Sequence, residues 1–334
     1  MLTNSKIAVI GGGSWATALS KILLNNTQNL TWWVRRPEVK EHIEKYGSNP
    51  NYISGIQFDT SRISVENDLR KVIAENDVLF FVIPSAFLHQ ILQEFKIDAS
   101  ILADKIIVSA IKGIIPEYNL IPASYLNELY KVDYNNIAIV AGPCHAEEVA
   151  FERLSYLTIA TPTGGRAIAI SDLLKCRYIK VNTNDDLVGT EYSAIMKNVY
   201  AIAAGICYGL GYGDNFMAVL LSNAIMETEH FIDNLYPKHR DVKTSAYLGD
   251  LLVTAYSQFS RNRTFGNMIG KGYSVKTAQL EMKMIAEGYY ACKCVHQIAN
   301  NYSIEVPIAQ AVYACLYENK NPRTTFLNIQ DLLV

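Results

Sequence analysis

The chain lacks the marks of several protein classes. It has no CxxC pair and no histidine spaced to complete a zinc site, although six cysteines stand at 144, 176, 207, 292, 294 and 315. No metal is expected, and the thiols read as reduced and mostly buried. There is no Gly/Ser- or Pro-rich linker, no internal repeat and no low-complexity tract. Charge of neither sign is in large excess: the formal net charge is −2, which gives no general attraction to nucleic acid or to an anionic membrane surface. The N-terminal MLTNSKIAVIGGG holds only a short apolar run before its glycines. That is neither a signal peptide nor a spanning helix, so a cytoplasmic location without stable membrane insertion is expected.

What is present is 334 residues, half of them hydrophobic and 19% charged, enough for two cores. From Lys6 to about Thr183, short β-rich runs alternate with helical segments; the runs are KIAVI, LTWWV, VLFFVIP, KIIVSA, IAIVAG, YLTIA and YIKVN. Most are continuously apolar, as strands covered on both faces should be. The pattern predicts an α/β, Rossmann-like doubly wound sheet domain over 1–185. From about Asp186 the strand-like runs stop, and apolar residues recur at helical spacing, as at Ile195, Val199 and Ile202. An all-helical domain is predicted over 186–334. The missing linker predicts close packing, with a cleft between the domains as the expected ligand site. An apolar helical half would also suit a homodimer.

KIAVI is followed at once by Gly11-Gly12-Gly13-Ser14-Trp15-Ala16 and the helical ATALSKILLN, a strand, a glycine turn and a helix. In this GxGxxA form Gly11 permits the tight turn, Gly13 leaves room for a pyrophosphate and Ala16 lets the helix approach the sheet, so a dinucleotide is the expected ligand. A structural glycine turn is the bland alternative. After the second strand an NAD-selective chain usually carries an acid for the ribose 2′-hydroxyl, but this one reads Trp33-Val34-Arg35-Arg36-Pro37. Arginines there suit a 2′-phosphate, or are solvated loop charges; the expectation is that NADP(H) binds more tightly than NAD(H), without excluding the latter.

VSAIKG places Lys112 just after an apolar strand, and IVAGPCHAEE places Gly142 and Cys144 after the next. Loops beyond the carboxyl ends of such strands bind ligands, so Lys112 is a candidate substrate contact or else a solvated charge. Lys197 sits in GTEYSAIMKNVYAIAAG, where its helical neighbours are Ser193, Ala194, Tyr200 and Ala201. Unless it reaches solvent at a helix end, desolvation lowers its pKa toward the range useful for acid–base work. Asp250, in the apolar LGDLL, needs a cationic partner, and Lys197 is the candidate. Ser260-Arg261-Asn262-Arg263 offers a planar fork and an amide suited to a phosphate or carboxylate; the alternative is an ordinary basic loop.

Together these pieces resemble the bacterial-type NAD(P)-dependent glycerol-3-phosphate dehydrogenase family: GGGSWATALS, the KG of AIKG, GPCHAEE, the KN of MKNVYAIAAG, LGDL, SRNRTFG and AEGYYACK occur in that order across nearly the whole chain. The resemblance implies that Ser14, Trp15, Arg35, Lys112, Ala146, Arg261, Ile285 and Glu287, with the Gly11–Gly13 turn, contact NADP or NAD. It implies that Lys112, Gly142, Cys144, Lys197, Asp250, Ser260, Arg261 and Asn262 line the glycerol phosphate site. Lys197 would transfer the proton, with Lys112 and Asp250 as further catalytic residues, and the product would feed phospholipid synthesis. Three positions depart from the family pattern: Ala16 replaces a glycine, Cys144 a Thr or Ser, and Tyr247 a glycine. The rival readings are a reductase of a small hydroxy acid, in which Arg261 binds a carboxylate, and a non-catalytic dinucleotide sensor, which would need no Lys, Asp and Arg set.

Overall fold

Ala8, Val9 and Ile10 have no solvent exposure because β1 (Ile7–Ile10) lies inside an eight-stranded sheet. The computed structural model describes Leu2, residues 5–282 and residues 286–334. After β1 come β2 (Leu30–Trp33), β3 (Ile63–Glu66), β4 (Val78–Phe81), β5 (Ile106–Ser109), β6 (Ile137–Ala141), β7 (Ser155–Ala160) and β8 (Ile179–Asn184). Their order across the sheet is β3-β2-β1-β4-β5-β6-β7-β8. All neighbours are parallel except β6 and β7. The chain therefore winds outward from β1 in one direction and returns to wind outward from β4 in the other. The reversal between β1 and β4 is the switch point at which open α/β sheets bind ligands.

The seven apolar runs read from the sequence account for every strand but β3. In that edge strand Ile63 and Val65 are buried and Ser64 is exposed. A short, half-polar alternation at a sheet edge has no continuous apolar run to announce it.

The chain divides into two compact units, Met1–Ile111 with Leu120–Leu187, and Lys112–Asn119 with Val188–Val334. The segment Lys112–Asn119, which the sequence reading leaves with the sheet, thus groups with the helices. One physical reason is a hydrogen bond from Asn198 Nδ2 to the Lys112 carbonyl at 2.8 Å.

The second unit is helical. The helix Leu187–Leu210 is apolar on nearly all sides, and Ile195, Val199 and Ile202 are fully buried, as a central core helix requires. It packs against the helix Arg261–Gly270 without side chains between them: a Cβ at Gly205 would lie 2.1 Å from the Arg263 carbonyl oxygen, and one at Gly266 would lie 2.1 Å from that of Ile202. Only glycine permits so close an approach. On the helix Asp214–Leu235, the buried Glu227 accepts from the Ile308 and Ala309 N–H groups at 2.8 and 3.0 Å and from the Tyr200 hydroxyl at 3.1 Å. It thereby caps the helix Pro307–Tyr317 from a distance. Burial pushes its carboxyl up to about 7.

All six cysteines are free, and all but Cys176 are buried. Burial pushes the Cys207 thiol up to about 12. Among the described residues no helix is long and apolar enough to cross a membrane.

Candidate active site

In the sheet unit the glycine turn joins β1 to the helix Ser14–Leu23. Gly11 has φ +139°, and a Cβ there would lie 2.3 Å from the Val82 carbonyl oxygen, so this position admits only glycine. Each glycine carbonyl is held from behind. Trp32 Nε1 donates to Gly11 at 2.7 Å, Asn49 Nδ2 to Gly12 at 3.0 Å and the Thr17 hydroxyl to Gly13 at 3.0 Å. Asn49 and Trp32 are missed by sequence reasoning, because their partners lie far along the chain. Gly13 is the N-cap of the helix, no side chain caps it, and a Cβ there would meet nothing within 4 Å. The turn therefore presents a helix N-terminus to open space, which fits a dinucleotide pyrophosphate. Ser14 and Trp15 follow, both half-buried, and Ala16 is fully buried against the sheet.

Beyond β2, Arg35 is exposed and its Nη2 lies 2.7 Å from Glu94 Oε2. Gly142 follows β6 directly, Cys144 is buried, and Ala146 begins the short helix Ala146–Ala150. These three residues belong to the sheet unit.

The helical unit gathers most of the remaining candidates. Lys197 and Asp250, only 4% and 1% exposed, form an ion pair. The aspartate opens the helix Asp250–Tyr256, which continues directly from a π-turn over Ser245–Gly249. Burial pushes the Lys197 ammonium down to about 7, Asp250 pulls it up, and the Lys112 cation pushes it further down. The face shared by Ser193, Ala194, Tyr200 and Ala201 is buried, so Lys197 does not reach solvent.

A chain of amides fixes this cluster. Asn198 donates to the Lys112 carbonyl, Asn262 Nδ2 donates to Asn198 Oδ1 at 2.9 Å, and the Gly288 N–H donates to Asn262 Oδ1 at 2.9 Å. Four segments are tied together: the one beginning at Lys112, the Lys197 helix, the Arg261–Gly270 helix and the start of the helix Glu287–Tyr302. Sequence reasoning does not single out Asn198 as a site residue. The signal for it was an amide at a helix position amid apolar neighbours, where it must find partners. Ser260 caps the Arg261 helix, its Oγ accepting from the Arg263 N–H at 3.3 Å. Arg261 itself is exposed and Glu287 half-buried. Ile285 lies outside the described residues. Tyr247, within the π-turn, is buried, with its hydroxyl 3.4 Å from Thr190 Oγ1.

A doubly wound sheet with an open glycine turn, followed by helices that bury a lysine of lowered pKa against an aspartate, defines a two-domain dehydrogenase of the dinucleotide-dependent class. The N-terminal model of NAD-dependent glycerol-3-phosphate dehydrogenase matches residues 6–166 and the C-terminal model residues 186–327. The chain belongs to the NAD-dependent glycerol-3-phosphate dehydrogenase family. It is 35% identical over 320 residues to a glycerol-3-phosphate dehydrogenase of Salinibacter ruber, named for NAD(P)+, covering 96% of this chain and 92% of that protein. It is 32% identical over 315 residues to the corresponding protein of Staphylococcus carnosus, covering 94% of each. The solved glycerol-3-phosphate dehydrogenase of Coxiella burnetii superposes with a TM-score of 0.88 at 28% identity, over 97% of this chain and 98% of that one. A ketopantoate reductase of Ralstonia eutropha, at TM-score 0.61 and 15% identity over 96% of this chain and 99% of that one, shares the fold alone.

Proposed function

We propose that this chain interconverts glycerol 3-phosphate and dihydroxyacetone phosphate, with the sheet unit holding NADP or NAD and the helical unit, which takes in Lys112–Asn119, holding the substrate. The observation that carries this reading is the buried Lys197–Asp250 pair with Lys112 beside it, in a chain of this family.

When bound, NAD(P)H supplies the hydride. Gly11, Gly13, Ser14 and Trp15 hold the pyrophosphate side of that cofactor, Arg35 its adenosine ribose, and Ala146, Arg261, Ile285, Glu287 and Lys112 are its further contacts. Lys197, protonated, meets the negative charge that develops on the substrate oxygen and gives it a proton; in the reverse direction neutral Lys197 takes the proton back. Asp250 keeps the lysine aimed and partly charged despite its burial. Lys112 adds positive charge at the same place. Arg261, with Ser260 and Asn262, grips the phosphate through charge-assisted bonds, and Gly142 and Cys144 complete the substrate contacts.

With this reading go a cytoplasmic location, a role in supplying glycerol phosphate for phospholipid synthesis, and a homodimer formed through the helical half. Val219 and Met226 stand exposed seven residues apart on one helix and supply apolar surface for the last. Sedimentation of the purified protein tests the dimer. The reaction is tested by NADPH oxidation on addition of dihydroxyacetone phosphate. Faster turnover of ketopantoate or a 3-hydroxy acid would overturn the assignment.

A further inference from the structure

The sheet unit holds a feature that the reaction does not use. The end of β2 lacks the acid that usually meets a ribose 2′-hydroxyl. Glu66, at the end of the neighbouring β3, does not replace it: it pairs with Lys71 at 2.8 Å and with Lys40 at 3.7 Å. An acid is nevertheless present, brought from another element. Glu94 ends the helix Ser85–Glu94 that follows β4, and its carboxylate is 2.7 Å from the Arg35 guanidinium. The corner that carries it is pinned beside the end of β2. The Phe95 ring meets Trp33 edge-on at 5.6 Å, and Arg70 donates to the Lys96 carbonyl. Trp33 Nε1 donates to the Asn67 carbonyl at 2.9 Å while Asn67 Nδ2 donates to the Val34 carbonyl at 2.6 Å.

We infer that Glu94 sets the balance between NADH and NADPH. This rests on the proposed reading of Arg35 as the residue that meets the adenosine ribose. The Arg35 and Glu94 side chains are 47% and 44% exposed, and a pair so open contributes little stability, so either partner exchanges readily for a ligand. A 2′-hydroxyl donates to Glu94 while Arg35 remains paired. A 2′-phosphate takes Arg35 for itself, as a guanidinium fork favours, but must then lie beside the carboxylate it displaces. The pair thus serves both cofactors, and the carboxylate weakens the phosphorylated one by like-charge repulsion. A helix C-terminus is a poor place for an anion, and Arg35 is the partner that offsets it.

The test is direct titration of NADPH and NADH, read by nucleotide fluorescence, on the native chain, Glu94→Gln, Glu94→Lys and Arg35→Ala. Glu94→Gln should raise the preference for NADPH, the ratio of the two Kd values, by about threefold to tenfold at low salt, and Glu94→Lys by more, with the gain shrinking as salt screens it. A ratio that stays within about twofold in both Glu94 variants overturns the inference. The Arg35→Ala arm separates the two levels of the argument. Lost NADPH affinity there with an unmoved ratio in the Glu94 variants removes Glu94 alone, whereas unchanged NADPH affinity removes the reading of Arg35 and this inference with it.

Discussion

Asn262 gives its side-chain N–H to the side-chain oxygen of Asn198 at 2.9 Å, and both residues are buried. Because Asn198 spends its own N–H on the Lys112 carbonyl and Asn262 spends its oxygen on the Gly288 N–H, both amides have one usable orientation. A directional chain of this kind sets where Lys197, one residue before Asn198, stands relative to Arg261, one residue before Asn262.

Replacing Lys197 by methionine keeps an unbranched stem on the buried face but removes the proposed proton donor. The expected loss in kcat is about 10²–10⁴-fold, with NADPH affinity nearly unchanged. Asp250 is then buried without its cation, so stability should fall as well. The double variant Lys197→Met with Asp250→Asn should recover stability without recovering activity. Activity within about threefold of the native chain, in a folded single variant, would exclude Lys197 as the acid.

With its pKa near 7, Lys197 gives the two reaction directions opposite pH profiles. Reduction needs the ammonium, so its kcat/KM should fall as pH rises through about 7; oxidation needs the amine and should rise over the same interval. Asp250 raises this pKa, so Asp250→Asn should move both profiles toward lower pH. Profiles that run in the same direction would sink the assignment.

Arg261→Ala should act on binding more than on turnover. A charge-assisted bond to a phosphate from an exposed guanidinium is worth roughly 1.5–3 kcal/mol, or about 10–100-fold in KM for dihydroxyacetone phosphate. Inorganic phosphate should inhibit the native chain and lose that effect in the variant. An unchanged kcat/KM would remove Arg261 from the substrate site.

Glu227 bears on stability. Its carboxyl sits near 7 in the folded chain against an ordinary 4.5, so folding favours the protonated form. That stabilisation is complete below the ordinary value and is lost as pH rises toward 7, a change on the order of 3 kcal/mol. Glu227→Gln does not titrate. Urea midpoints taken at about pH 5 and about pH 8 should therefore differ less in the variant than in the native chain; an equal difference would refute the account.

How much of this was legible beforehand follows the range of each interaction. β1, the glycine turn and the helix after it are contiguous, and their residue types announce them. The all-helical second half was legible from the 3.6-residue spacing of Ile195, Val199 and Ile202, and the Lys197–Asp250 pair from the cost of burying either charge alone. The hydrogen bonds that hold the glycine turn were not legible, because Trp32 and Asn49 reach it across folds of the chain. Nor was the glycine seam of Gly205 and Gly266, since small residues on a helix look the same whether they face solvent, a side chain or another backbone. The exposure of Arg261 and the Arg35–Glu94 pair likewise needed coordinates.

The assignment of Lys112–Asn119 to the helical unit bears on how the halves could be inherited or exchanged. The path of the chain passes from one unit to the other between 111 and 112, between 119 and 120, and between 187 and 188. A fragment cut at the last of these joints would carry Asn198 without one of the carbonyls it donates to, and Lys197 without the neighbouring cation that lowers its pKa. Recombination at that joint alone would therefore transplant helices stripped of part of their chemistry. Any workable exchange of the helical half onto another dinucleotide-binding sheet must take the loop after β5 along with it, so the heritable module is discontinuous in the gene although it is continuous in space.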